Sequence, residues 1–324
     1  MSNLTIAVLA PNGYANDLGK KGTTSDITFY NLKKGDASIT FIEPTRYPEK
    51  LSSLFYAVSL ADRVILVVED INAIFGETVL MLQCAGRAQG YIIFKNYLSI
   101  DQIAPLIKGT LLEHYEVLED DKLGLREKLL EIAVKMTAHQ KAKDSGGNGV
   151  VPIDHHFNVK GVGVVVLGSV AHGTIKKHDT LKVLPTQKTA QVRSIQKHDD
   201  DADVAVAGDR LGLALKNIEA EELDRGYVLT NDPSIKAAST ISGKAQLVKY
   251  WAAPLKEGMV LYVGHWMQFL PSRLEKVSVD GGDWRMPTLT LTMEKELVYP
   301  PGARVVLNYL EGGKLRVVGT LTLA

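Results

Sequence analysis

A single cysteine, Cys84, stands among 324 residues. That excludes an intrachain disulfide and a zinc site built from cysteines alone, and it fits a reducing compartment, where a lone thiol packs as a small core residue. Long apolar runs are missing too: nothing reaches the ~20 consecutive apolar residues of a membrane-spanning helix. The amino terminus, Met1 to Pro11, has neither a basic start nor an apolar stretch of signal-peptide length. The expectation is a cytoplasmic protein. Charge of one sign is not in excess, with 37 basic residues against 37 acidic, so any basic surface for a nucleic acid has to be local. What is present is ordinary globular composition, 45% hydrophobic and 23% charged. At ~100 to 200 residues per domain, the length allows two or three domains.

Residues 1–143 mix short β-branched runs with longer helical patterns. Strands are expected at Thr5 to Leu9, Ile27 to Tyr30, Ser38 to Ile42, Arg63 to Val68 and Tyr91 to Lys95. Helices are expected at Pro48 to Ser59, Ile74 to Gly86, Ile100 to Lys108 and Leu125 to Lys143. Strands alternating with helices imply a largely parallel α/β sheet. The stretch 144–149, Asp-Ser-Gly-Gly-Asn-Gly, reads as a linker. Beyond it short strands and close-set turns imply two all-β barrels, over 150–232 and 233–324.

The run Val159 to Val170, followed by His172 to Lys182, Ala207 to Gly212 and Asp224 to Leu229, resembles the second domain of translational GTPases. Val183 to Thr186 with Val192 to Gln196 is closer to archaeal SelB than to EF-Tu, and within that group to the paralogues labelled EF-Pyl. The third domain resembles the family more weakly, through Pro301 to Leu307 and Leu310 to Gly319. The resemblance implies a degenerate P-loop GTPase-like α/β domain followed by barrels like domains 2 and 3 of EF-Tu and SelB. It also implies GTP and magnesium as the family's cofactors.

The residues of the first domain argue against both. A P-loop reads G-x-x-x-x-G-K-S/T, because backbone N–H groups must converge on phosphates while the Lys and the hydroxyl serve phosphate and magnesium. Gly13 to Lys20 has one residue too many between its glycines, and Lys21 stands where the hydroxyl belongs. Only Pro11 to Asp26 separates the first expected strand from the next, too little for the usual helix. Gly22 to Asp26 resembles the family's switch I segment, in which Thr24 would meet magnesium and Asp26 is retained. The D-x-P-G-H positions read Glu43, Pro44, Thr45, Arg46 and Tyr47: Glu43 retains a carboxylate for a metal, but Arg46 does not imitate glycine. At the guanine-reading N-K-x-D only Lys95 survives, in Phe94-Lys-Asn-Tyr97, and the S-A-K position reads Leu118 to Asp121. The degenerate pocket thus comprises Gly13, Lys20, Thr24, Asp26, Glu43 and Lys95, with no catalytic residue, no metal site and no working cofactor.

The remaining family activity is RNA binding, and the resemblance implies aminoacyl-tRNA as partner, held between the first two domains. The paralogue label implies the pyrrolysyl form. Carried over by position, the candidates are Asp154, His155, His156, Lys160 and His198; Arg193 and Arg210 are looser candidates, for the basic side chains with which SelB attracts the selenolate of selenocysteine. His155 and His156 have two readings, as ligands stacking on a base or bonding ribose, or as solvent-facing residues of a strand. The run Lys197 to Asp203 looks superficially like a metal site, but consecutive residues splay apart and a solvated loop is the plainer reading. Tyr250, Trp251, Trp266, Phe269 and Trp284, among Lys249, Lys256, Arg273 and Arg285, form either an RNA-stacking surface or barrel packing. A second class of function is a regulatory module whose degenerate domain docks the ribosome or another translation factor.

Overall fold

The computed structural model describes residues 2–143, 146–279, 281–312 and 315–324. Asp144 and Ser145, the start of the expected linker, lie outside the described residues.

The first domain carries strands β1 (Ser2–Leu9), β2 (Lys20–Thr24), β3 (Thr28–Lys34), β4 (Ala37–Glu43), β5 (Arg63–Val68), β6 (Gly90–Phe94) and β7 (Glu116–Leu118). They form one sheet in the order β2-β3-β4-β1-β5-β6-β7. β1 runs parallel to β4 and β5, whereas β2 and β3 form an antiparallel extension at one edge. Both faces of the central strands are covered, which is why Leu4 to Leu9 and Val64 to Val68 read as nearly unbroken apolar runs. Helices α1 (Leu51–Ser59), α2 (Ala73–Cys84) and α3 (Ile100–Ile107) cover one face through Leu54, Val58, Met81 and Ile103. Helix α4 (Lys122–Lys143) covers the other with Leu125, Leu129 and Ala133. Beside it a 3-10 turn over Tyr14–Asp17 inserts Ala15 and Leu18. Those two side chains pack into the same core as α4.

β2 and β7 are the strands that the sequence patterns do not indicate. β2 is a polar edge strand, Lys-Lys-Gly-Thr-Thr, with an irregular register against β3. β7 is three residues long and solvent-facing at Val117. Neither carries the alternation that marks a half-buried strand.

The first barrel comprises β8 (Val150–Val159), β9 (Gly163–Ser169), β10 (Thr174–Lys176), β11 (Thr180–Leu184), β12 (Lys188–Lys197), β13 (Asp200–Ala202), β14 (Val204–Val206), β15 (Arg210–Lys216) and β16 (Val228–Thr230). The order β11-β16-β8-β9-β15-β12 closes through a β11–β12 pairing. The second barrel, β17 (Lys236–Leu247), β18 (Val260–His265), β19 (Gln268–Ser278), β20 (Thr288–Tyr299), β21 (Arg304–Asn308) and β22 (Val317–Leu323), closes in the order β17-β20-β19-β18-β21-β22.

The second barrel docks on the helical face of the first domain. Val306 and Val317 join the core beneath α1 and α2. The Phe55 ring lies so close to Gly264 that a Cβ there would come within 2.7 Å of it, so this contact needs glycine. Arg316 closes the junction, with Nε 2.7 Å from the buried Glu77 carboxylate and Nη1 2.9 Å from the Pro48 carbonyl.

Candidate functional site

The loop after β1 turns on Gly13, whose φ of 89° is open to glycine at little cost. Its amides converge, but on the protein itself. Gly13 N–H and Ala15 N–H donate to the Glu43 carboxylate at 3.1 and 2.6 Å, and the Tyr30 hydroxyl donates to the same group at 3.0 Å. Glu43 ends β4, is 2% exposed, and delivers a negative charge to the amides from below. The sequence leaves it open as a metal ligand; instead it is a buried acceptor with three donors, and no cluster of three metal-ligating side chains occurs among the described residues.

Tyr14 reaches from the same turn to the loop after β7. Its hydroxyl donates to Asp120 at 2.6 Å, and Asp120 also pairs with Lys95 and, at 2.7 Å, with Lys122. Burial and the adjoining carboxylate push the Tyr14 hydroxyl well above its ordinary range, whereas the lysines and Tyr14 overcome burial to hold Asp120 well below the carboxylate range. The six pocket residues therefore divide. Gly13 meets Glu43, and Lys95 joins Asp120. Lys20 and Thr24 are exposed on β2, and Asp26 faces the first barrel. A separate cavity of about 370 Å3 lies at the carboxyl ends of β1 and β5, and the charged side chains in its lining are Glu69 and Asp70.

Asp26 belongs to a network that ties the first domain to the first barrel. Arg225, in the turn before β16, donates to Asp26 at 2.5 Å, to Ser25 Oγ at 3.0 Å and to the Asp154 carbonyl at 3.0 Å. Lys50, just ahead of α1, adds a contact to Asp26 at 3.0 Å. Burial favours the neutral acid, but Arg225 and Lys50 outweigh it and hold Asp26 at about 2. Asp154 on β8 has the same outcome: burial opposes its charge, and Arg210 with His155 holds it at about 2. Arg210 binds both Asp154 oxygens and lies 4.2 Å over the Phe29 ring. His155 bridges the domains, Nδ1 2.8 Å from Asp154 and Nε2 3.1 Å from Ser25 Oγ.

The other candidates on the barrel lie apart. His156 is half-buried, with Nδ1 lacking a partner among the described residues; Lys160 is exposed. Arg193 donates to the Val162 carbonyl at 2.8 Å. It sits at an irregularity of β12 opposite Ala214 and Leu215, four to five strand positions from Arg210, or roughly 15 Å at ~3.3 Å per residue, so these arginines do not converge. His198 pairs with Asn3 Oδ1 at 2.9 Å, and burial, with Arg210 and Lys33 nearby, pushes its imidazole down to about 4. The run after it turns between β12 and β13, with Asp200 paired to Lys33 at 2.7 Å. The third-domain aromatics scatter: Phe269 packs on Phe55, Trp251 on Tyr309, and Trp284 under Arg285.

At the mouth of the seam a pocket of about 450 Å3 is lined by Ser25, Asp26, Arg46, Lys50 and Arg225. It sets three cations against one carboxylate, and the Arg46 side chain has no ion-pair partner among the described residues.

Residues 163–230 match the family described as Elongation factor Tu domain 2. An uncharacterized protein of Methanocaldococcus jannaschii is 36% identical over 321 residues, 98% of this chain and 99% of that protein. The selenocysteine-specific elongation factor of the same organism is 25% identical over 326 residues, 90% of this chain and 68% of that protein. The crystal structure of translation elongation factor SelB from Methanococcus maripaludis in its apo form aligns over 100% of this chain and 79% of its own, with a TM-score of 0.79 at 21% identity. The same factor in complex with the GTP analogue GppNHp gives 0.81 at 21%, over 99% and 78%. The chain belongs to the SelB/EF-Tu-like elongation factor family.

Within this SelB-like frame, motif reading passed over Lys50 and Arg225 as functional residues and considered Arg46 only as a poor glycine. Arg225 lies inside the quoted run Asp224 to Leu229, where Gly226 holds φ at 90° and a Cβ would meet the Met267 carbonyl at 2.9 Å. That turn sits against the second barrel, and its position there aims the preceding arginine at the first domain. The signal was a cation beside an obligatory glycine.

Proposed function

We propose that this SelB-like chain binds the end of a specialised aminoacyl-tRNA at the seam between its first domain and first barrel, and does so without GTP. The observation that carries the reading is the pocket of Arg46, Lys50 and Arg225 around Asp26. Its excess positive charge, at the joint of two domains, suits an RNA phosphate. The exposed Phe157 and Lys160 continue the surface along β8, where an aromatic face and a cation suit a terminal base and its backbone. His156 immediately precedes Phe157 in sequence.

The direction of the loop amides supports the loss of GTP binding. A phosphate cradle needs free N–H groups, and two in this loop are taken by Glu43. A triphosphate in the cavity at the carboxyl ends of β1 and β5 would also meet the Glu69 and Asp70 charges with no lysine in the lining, since Lys20 is on an exposed edge strand and Lys95 is paired with Asp120. Filter binding of one tRNA, aminoacylated and deacylated, tests the first part; calorimetry with Mg-GTP tests the second.

A second reading, a regulatory module that docks a protein of the translation apparatus, is favoured by a cleft of about 840 Å3 between α2 and the second barrel, with Leu106, Tyr250 and Met286 exposed along it. A stoichiometric complex with a ribosomal subunit or translation factor, formed without tRNA, supports it over the first.

A further inference from the structure

Helix α2 carries apolar residues on more than one side, and only its inner side is covered. Met81 and Leu82 are fully buried in the core beneath it, whereas Ala73, Gly76, Leu80 and Gln83 line the cleft of about 840 Å3 between the helix and the second barrel. Their spacing of three, four and three places these four on one helix face. From Ala73 to Gln83, at ~1.5 Å per residue, that face runs about 15 Å. An apolar stripe beyond the inner face calls for a second cover. Gly76 is a notch in the stripe: it is exposed, and a Cβ built on it would meet nothing within 4 Å. Glycine inside a helix weakens it, and nothing in the chain's own packing requires one there.

The barrel wall opposite sets cations beside apolar side chains. Lys249 adjoins Tyr250, with Nζ 4.9 Å from the ring centroid, and Arg285 adjoins Met286. Tyr250 and Met286 are 54% and 59% exposed. Arg304 lines the same wall, and none of the three cations has an ion-pair partner among the described residues. Of the acids in the lining, Glu77 is taken by Arg316, which leaves Asp283 alone against them. We infer that this cleft seats an acidic amphipathic helix of a partner protein. The apolar stripe of such a helix lies along Ala73, Gly76 and Leu80, its backbone comes close at the Gly76 notch, and its flanking Glu or Asp side chains meet Lys249, Arg285 and Arg304. A nucleic acid has the right charge but no apolar stripe, and a basic helix has the stripe but the wrong charge. The inference rests on the docking reading above and adds the chemistry of the partner.

The experiment titrates the full chain into a fluorescein-labelled helical peptide of about 18 residues, or five turns, with leucine along one face and glutamate on both flanks. The same peptide with lysine in place of glutamate runs beside it, both read by anisotropy. The expected result is saturable binding of the glutamate peptide, at least ten-fold tighter than the lysine peptide and weakened by salt. Equal binding of the two, or none of either, overturns the inference. Gly76→Leu fills the notch with a strong helix former, and it is expected to weaken the glutamate peptide at least ten-fold without lowering the urea midpoint; full binding by that variant overturns the inference. Should its midpoint fall, Arg285→Glu decides: the preference for glutamate is expected to shrink or reverse, and an unchanged preference contradicts the proposal. A dimer of the chain that Gly76→Leu dissociates in sedimentation gives the cleft to a second copy and also overturns it. A stoichiometric complex with a ribosomal subunit or translation factor that Gly76→Leu leaves intact overturns the inference while the docking reading stands, whereas no complex and no peptide binding overturn both.

Discussion

The Glu43 carboxylate accepts the Ala15 backbone N–H at 2.6 Å, so the loop that would cradle a phosphate is organised around an anion of the chain's own. Tyr30 and Gly13 complete the arrangement. Replacing Glu43 by alanine leaves buried donors without an acceptor, and breaking charge-assisted hydrogen bonds of this kind costs about 3 kcal/mol. The expected outcome is a first domain destabilised by that order in urea unfolding. Wild type titrated with Mg-GTP or Mg-ATP is expected to give no saturable heat.

Arg46 offers the cleanest probe of the cationic mouth, since its side chain has no ion-pair partner among the described residues to lose. Arg46→Ala is expected to weaken RNA binding about ten-fold and to reduce the slope of log affinity against log salt by roughly 0.7 to 1, the signature of one lost phosphate contact. An unchanged slope removes Arg46 from the interface.

His198 makes stability depend on pH in a defined direction. Its folded value is about 4 against 6.5 when free, so between those values the unfolded chain binds a proton that the folded chain refuses. The contribution is complete above pH 6.5 and is lost as pH falls toward 4, with a slope of up to about 1.4 kcal/mol per pH unit. His198→Gln is expected to flatten the decline between pH 7 and pH 5 in denaturant titrations. His265, also held at about 4 by burial, retains its own share.

Much of the frame was legible from the residues. Unbroken apolar runs such as Val64 to Val68 announce a strand buried on both faces, and the glycine series from Gly161 to Gly168 marks the first barrel. The absent helix after β1 follows from the sixteen-odd residues between strands, although nothing in Lys20 to Thr24 announces that an edge strand takes part of its place. The site was legible in pieces. Gly13 and Glu43 were picked as separate remnants of two motifs, and their contact with each other depends on β1 and β4 being neighbours. Asp154 and His155 carry no local sign of being consumed by Arg210 and Ser25, which come from distant segments. Arg225 was hidden because its role depends on a turn pressed between barrels, a relationship that spacing along the chain does not encode.

Arg316 and Glu77 set how firmly the second barrel holds the first domain. Glu77 is buried, and removing one partner of a buried ion pair costs about 3 to 5 kcal/mol. Arg316→Leu is therefore expected to loosen the junction, seen as earlier protease cleavage or a separate unfolding step for the barrel. A single unfolding transition at the wild-type midpoint contradicts this.

The affinity of one tRNA, aminoacylated and deacylated, measured side by side in buffer free of nucleotide, tests most directly whether the seam is a GTP-independent aminoacyl-tRNA site. The expected result is at least ten-fold tighter binding of the aminoacylated form, unchanged when Mg-GTP is added. Equal affinity for the two forms, or binding that appears only with GTP, contradicts it.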